Sequence, residues 1–325
     1  MEGYWVWCGS VTLGEDGRYH MFASRWPKAY PFFHGYLAAS EIVRASADRP
    51  EGPYQFEEVV LPERDPSYWD GRMTHNPFIL PVGDEFLLFY IGTTYDGPRP
   101  DRAEMDRLRS TPGGNGSIFD FYRNIRIGVA RSSSVFGPWQ RPEQPSFNNN
   151  PGSWDAGVVT NPAPCLAPDG RILLYYRSGG AKLGLAIAAD SSCDFQRIGD
   201  GPVIELDPEH RVEDPCIWWQ DDHYEMVCKD LSGGLTGEFH AAVHAISQDG
   251  IDWQLAPQIK AWSRTLNWDN GEQTTQASIE RPFVLRHNGQ PTHLFAATAN
   301  GPGPHDGRPG HYFATDTWNV VIPLK

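Results

Sequence analysis

Five apolar runs recur along the chain, at 19–25, 86–92, 172–177, 224–229 and 292–298. Each is six or seven residues long, rich in aromatic and aliphatic residues, and bounded by polar or turn-forming positions, the pattern of buried strands. Each follows another strand with a sharper mark: Thr74-His-Asn-Pro77, Thr160-Asn-Pro162, Glu213-Asp-Pro215 and Glu280-Arg-Pro282, with Trp7-Cys-Gly-Ser10 as a looser first copy. A third strand comes next, then a turn that ends on an aromatic: Gly52-Pro-Tyr54, Gly137-Pro-Trp139, Phe195, Trp253 and Trp318. Cys8, Asn76, Asn161, Asp214 and Arg281 are thereby equivalent, spaced by 68, 85, 53 and 67 residues. Three features repeating in one order predict an all-β, five-bladed β-propeller spanning residues 1–325 as a single domain. A β-sandwich is the weaker alternative, since it gives no reason for that order.

Composition fits many short strands: 33 Gly and 28 Pro supply turns, and 12 Trp, 13 Tyr and 16 Phe supply strand and core residues. No apolar run approaches the length of a membrane-spanning helix. The net charge of −14 argues against nucleic acid or an anionic membrane as partner. Five scattered cysteines without a Cys-x-x-Cys spacing argue against a zinc knuckle and a disulfide framework. Together with the absence of a basic and apolar leader, they make a cytoplasmic location the expectation. Oligomeric state stays open.

In a propeller, the start of each first strand and the end of each second strand open on one face. Three long loops, 26–36, 95–122 and 301–310, are expected on that rim, the second with a short helix around 102–108. Trp26 begins a loop whose aromatics suit either sugar faces or a satellite core. Arg25, Arg177, Lys229 and Arg281 are expected at the mouth, where they either hold an anionic sugar or pair with Asp70, Asp155, Glu213 and Asp214. Glycoside hydrolysis needs a proton donor and a second carboxylate. Glu213 leads a first strand, and Glu280 holds the same slot in blade five. Trp69-Asp70, Trp154-Asp155 and Trp268-Asp269 are either turn anchors or the source of the base. His75 and His305 lie near the mouth, with no metal-ligand spacing, so no metal site is assigned. Gly113-Gly-Asn-Gly116 neither follows a strand nor opens a helix, as a phosphate loop would.

These motifs resemble the furanosidase-type propellers of glycoside hydrolase family 43 and its relatives in families 32, 62 and 117, over essentially the whole chain. The resemblance implies a Glu acid in blade four, which falls on Glu213. It also implies an Asp in blade three and another in blade one, where this chain has Asn161 and Cys8. The resemblance further implies a calcium-associated histidine on the axis, and no residue here is assigned to it. The leading expectation is an exo-acting glycoside hydrolase of bacterial type on a short, acidic oligosaccharide. Glu213 would be the acid and Asp155 the displaced base, with Asp70 and Glu280 as substitutes. Asn76, Asn161, His75 and Arg281 would hold hydroxyls. No cofactor is expected, with a structural divalent cation in the central channel as the option left open. A uronate lyase using His75, Lys229 or a tyrosine, and a sugar-binding propeller without turnover, are the rival classes.

Overall fold

The computed structural model describes residues 1–111, 117–204, 206–207, 209–301 and 310–324. Its sheets form the five blades of a β-propeller. Blade one runs Tyr4–Leu13, Tyr19–Pro27, Glu41–Ala47 and Gln55–Leu61. Blade two comprises Met73–Val82, Glu85–Thr93 and Arg126–Ser132, and blade three Thr160–Leu166, Ile172–Ser178, Lys182–Ala188 and Gln196–Arg197. Blade four has Val212–Gln220, His223–Asp230, Ala242–Ser247 and Gln254–Trp262, and blade five Ser278–His287, Gln290–Ala299 and Thr317–Pro323. All strand pairs are antiparallel, and a small hairpin, Thr265–Asn267 with Gln273–Thr275, lies between the last two blades. Each blade's first strand packs against the next, and blade five closes onto blade one.

The repeated turn aromatics glue the blades together. Tyr54 of blade one meets Phe295 of blade five, and Trp139 of blade two meets Phe22 of blade one. Phe195 of blade three meets Phe89 of blade two, and Trp253 of blade four meets Tyr175 of blade three. Each partner lies on the second strand of the preceding blade, so the apolar runs and the turn aromatics are two halves of one repeated contact.

The x-[Asn/Asp]-Pro mark is a bulge. In every first strand the pairing register breaks there: between Trp7 and Ser10, His75 and Phe78, Thr160 and Ala163, Glu213 and Cys216, Glu280 and Phe283. Cys8, Asn76, Asn161, Asp214 and Arg281 take positive φ angles of 58°, 53°, 51°, 55° and 53°. Asn and Asp tolerate this region better than other side chains, whereas Cys8 and Arg281 carry strain there. The five side chains interlock around the axis. Cys8 Sγ donates to Asn76 Oδ1 at 2.9 Å, Asn76 Nδ2 to Asn161 Oδ1 at 3.0 Å, and Asn161 Nδ2 to Asp214 Oδ1 at 2.6 Å. Arg281 Nη1 meets Asp214 Oδ1 at 3.3 Å, and its charge acts on the Cys8 thiol across the axis.

Candidate active site

One slot before each ring residue, the chain points a side chain out of the ring and into a cavity of about 470 Å³. Trp7, His75, Thr160, Glu213 and Glu280 fill these five slots, and all line the cavity. The register shows that Glu213 and Glu280 are true equivalents, whereas Cys8 and Asn161 belong to the ring beneath them. Trp7 and Thr160 are the residues that share Glu213's slot in blades one and three.

The rim expectation holds for the described residues. Helix Phe32–Ala39 contacts both Ile118–Arg123 and the short helical turn Gly310–Phe313. Phe32, Phe33, His34, Tyr36, Phe119, Tyr122 and Tyr312 line the cavity wall, so the first two loops meet on one face, where the turn just after the third joins them. The expected short helix is Arg102–Ser110, capped by Asp101, with Met105 and Leu108 buried against the fold. His305, most of loop 301–310, and residues 112–116 lie outside the described residues.

The site's charge centres on Lys229, which stands opposite Glu213 in register. Its ammonium is 3.4 Å from Glu213 Oε2, 3.4 Å from Asp214 Oδ2 and 3.0 Å from Glu280 Oε1. Burial alone would lower its pKa; three carboxylates outweigh that and raise it above its ordinary value. Arg177 Nε lies 3.1 Å from Glu213 Oε1, and its Nη1 donates to the Tyr122 hydroxyl at 2.7 Å. The Glu213 and Glu280 side chains are only 16% and 10% exposed. Ser278 Oγ donates to Glu280 at 2.6 Å, and His240 Nδ1 lies 3.7 Å from the same oxygen.

Three cations and three carboxylates therefore balance at the mouth. Pairing, one of the two readings of the basic residues, is what the structure shows for Arg177, Lys229 and Arg281. The charged groups nearest Glu213 are the Arg177 guanidinium and the Lys229 ammonium.

His75 is buried, stacks on Tyr36 at 4.6 Å, and shares a hydrogen bond with Ser40 through Nδ1 at 2.8 Å. Desolvation, with Arg281 adding repulsion, pushes its pKa down to about 3, so it is a neutral ring at physiological pH. His34, at φ 71°, is held down to about 4 by burial and by Arg109. Its Nδ1 and the indole Nε1 of Trp26 are buried without a hydrogen-bond partner among the described residues, and both residues line the cavity.

Three expectations need correcting. Asp155 is not at the mouth: it is fully buried against blade three, accepting from Tyr176 OH at 3.0 Å and Arg197 Nε at 2.7 Å. Asp70 repeats that arrangement, bound by Tyr90 OH at 2.7 Å, Arg141 Nη2 at 2.6 Å and Arg64 Nε at 2.6 Å. Trp69 stacks on Tyr90 and Trp154 on Tyr176, so in these blades the Trp-Asp pair is a blade anchor. Asp269 lies at an exposed hairpin turn instead. Arg25 also points away, pairing with Glu41 at 2.8 Å between Tyr4 and Phe56; strand alternation sends Trp26 inward in its place. Asp155→Ala is expected to cost roughly 3 kcal/mol of stability by stranding Arg197. Turnover per folded molecule should stay unchanged; a loss of kcat at full folding, read by calorimetry beside kinetics, would return Asp155 to the chemistry.

Sequence reasoning missed Tyr122, His34 and His240 as individual site residues, whereas Tyr36 is one of the first loop's aromatics suited to sugar faces. Tyr122, Tyr36 and His34 sit within the long loops flagged as rim-forming, while His240, at φ 60°, carries no motif.

Comparison with known proteins bears on the fold. No family model and no curated protein matches the chain. Among solved structures, a family 117 glycoside hydrolase from the marine bacterium Zobellia galactanivorans superposes with a TM-score of 0.67 at 15% identity, over 98% of this chain and 83% of that one. A thermostable family-43 glycoside hydrolase gives 0.60 at 13% identity, over 99% and 90%. A family-43 β-xylosidase/α-arabinofuranosidase from a compost microbial metagenome, solved with xylotriose, gives 0.61 at 14%, over 100% and 92%. The chain thus has the fold of the five-bladed glycoside hydrolase propellers.

Proposed function

We propose that the protein is a glycoside hydrolase that releases sugars from the end of a short oligosaccharide. The observation that carries this reading is the pair Glu213 and Glu280, equivalent slots of adjacent blades that share one ammonium at the floor of a walled pocket. Two carboxylates about one bond are the chemical requirement of the reaction. Glu213 is the proton donor expected of its slot, and Glu280 takes the base role that Asp155 is too far from the pocket to fill. The aromatic wall suits the apolar faces of sugar rings, and the structure of a similarly folded neighbour solved with xylotriose supports a short oligosaccharide as ligand.

Each cation in the pocket already has a carboxylate, so the charge pattern no longer favours an acidic sugar. A panel of neutral and uronic aryl glycosides tests this. Hydrolysis of neutral members, with a single sugar released at a time, is the expected result. Formation of an unsaturated uronate would establish the lyase instead, and thermal stabilisation by sugars without turnover would establish a binder.

A further inference from the structure

The resemblance to family 43 implies a calcium-associated histidine on the propeller axis, and the residues present do not fit one. The axis is lined by a thiol, two amides, one carboxylate and one guanidinium. A hard divalent ion takes six or more oxygens. Here the Asn76 and Asn161 oxygens are spent within the ring, accepting from Cys8 and Asn76, and Asn161 Oδ1 also accepts from Thr160. Burial raises the Cys8 thiol well above its ordinary range, which keeps it protonated. His75 spends Nδ1 on Ser40. Among the described residues no cluster of three His, Cys, Asp or Glu is placed to hold a metal.

The ring does contain a cation. Arg281, 8% exposed, lies on the fifth bulge, with Nη1 3.3 Å from Asp214 Oδ1, Nη2 3.4 Å from the Pro162 carbonyl, and its backbone N–H 3.4 Å from Asp214 Oδ2. We propose that the Arg281 guanidinium is the resident cation of the central channel, standing in for a divalent ion, and that the propeller needs no metal to close.

Charge accounting supports this. One carboxylate and one guanidinium leave the five-residue ring neutral, with the Lys229 ammonium just above it. A divalent ion in the ring beside Arg281 would add two uncompensated charges to a buried site. The flat fork also suits the ring, donating at once to a carboxylate and a carbonyl.

The test uses the whole protein and needs no substrate. Wild type is melted in a divalent chelator and in millimolar calcium chloride, and its metal content is measured after purification. The expected result is one midpoint in both solutions, within about 1 °C, and no stoichiometric divalent ion. Arg281→Ala should melt about 5–10 °C lower, because Asp214 loses its cationic partner in the ring. Millimolar guanidinium should recover part of that loss, and sodium chloride at equal ionic strength should not. A wild-type midpoint that falls on chelation, or a bound divalent ion at one per chain, overturns the proposal. So does an Arg281→Ala variant that melts like wild type, or a loss that guanidinium does not touch. If Arg281→Ala does not fold, the wild-type measurements decide alone.

Discussion

Glu213→Gln is expected to lower kcat by roughly a hundredfold to ten-thousandfold while KM changes little. Glutamine keeps the shape and accepts from one of Arg177 and Lys229 through its single oxygen, but it cannot hand over a proton. Asp214 is not free to replace it, since Asn161, Arg281 and Lys229 all bind its carboxylate in the ring. Leaving-group dependence assigns the role. A donor is dispensable when the departing group is already a stable anion. The defect of Glu213→Gln should therefore shrink on dinitrophenyl glycosides and stay large on simple alkyl glycosides. Glu280→Gln should show the opposite, an equal loss on both. If the two patterns are exchanged, Glu280 is the donor and Glu213 acts on water. If both variants keep full activity on every substrate, the pair is not the machinery and the lyase reading moves ahead.

The architecture was legible because a propeller writes its fold into the sequence five times. The x-[Asn/Asp]-Pro mark makes the bulge, the apolar second strand makes the blade centre, and the turn aromatic makes the contact between blades. Even the degenerate copy at Cys8 was placed correctly, since spacing carried what the residue type did not. The site was legible only in part. Position along a strand told which end faces the mouth, and so Glu213, Glu280, Arg177, Lys229 and Arg281 could be named. It could not tell that the bulge splits neighbouring residues into two rings, one interlocked around the axis and one standing above it in the pocket. Nor could it tell Arg25 from Trp26, which differ by one position and so by a whole face. Asp70 and Asp155 were ambiguous because a carboxylate beside a Trp reads alike whether its partner is a sugar or a Tyr-Arg pair. That partner lies about twenty or more residues away in sequence, on strands whose twist the sequence does not state.

Lys229→Met should be the most destabilising single change at the site, costing about 3–5 kcal/mol at neutral pH. The side chain is almost fully buried and its one charge answers to three carboxylates. Methionine fills similar volume, so the loss measures charge and not a cavity. In wild type the Lys229 pKa is raised on folding. Its contribution is therefore complete below its unfolded value near 10.5, and is lost only as pH climbs through the folded one. Wild type should show no titration of this group between pH 5 and 9. The variant behaves differently: Glu213, Asp214 and Glu280 then crowd one another without the ammonium, so protonating one of them relieves repulsion in the folded state alone. Its deficit relative to wild type should accordingly shrink as pH falls from 7 towards the ordinary carboxylate range. Denaturant unfolding of both proteins across that interval reads the difference directly. Lys229→Arg, which keeps the charge, should recover most of the stability at neutral pH. A Met variant whose deficit is small and independent of pH would mean that Lys229 is not what holds the three carboxylates together.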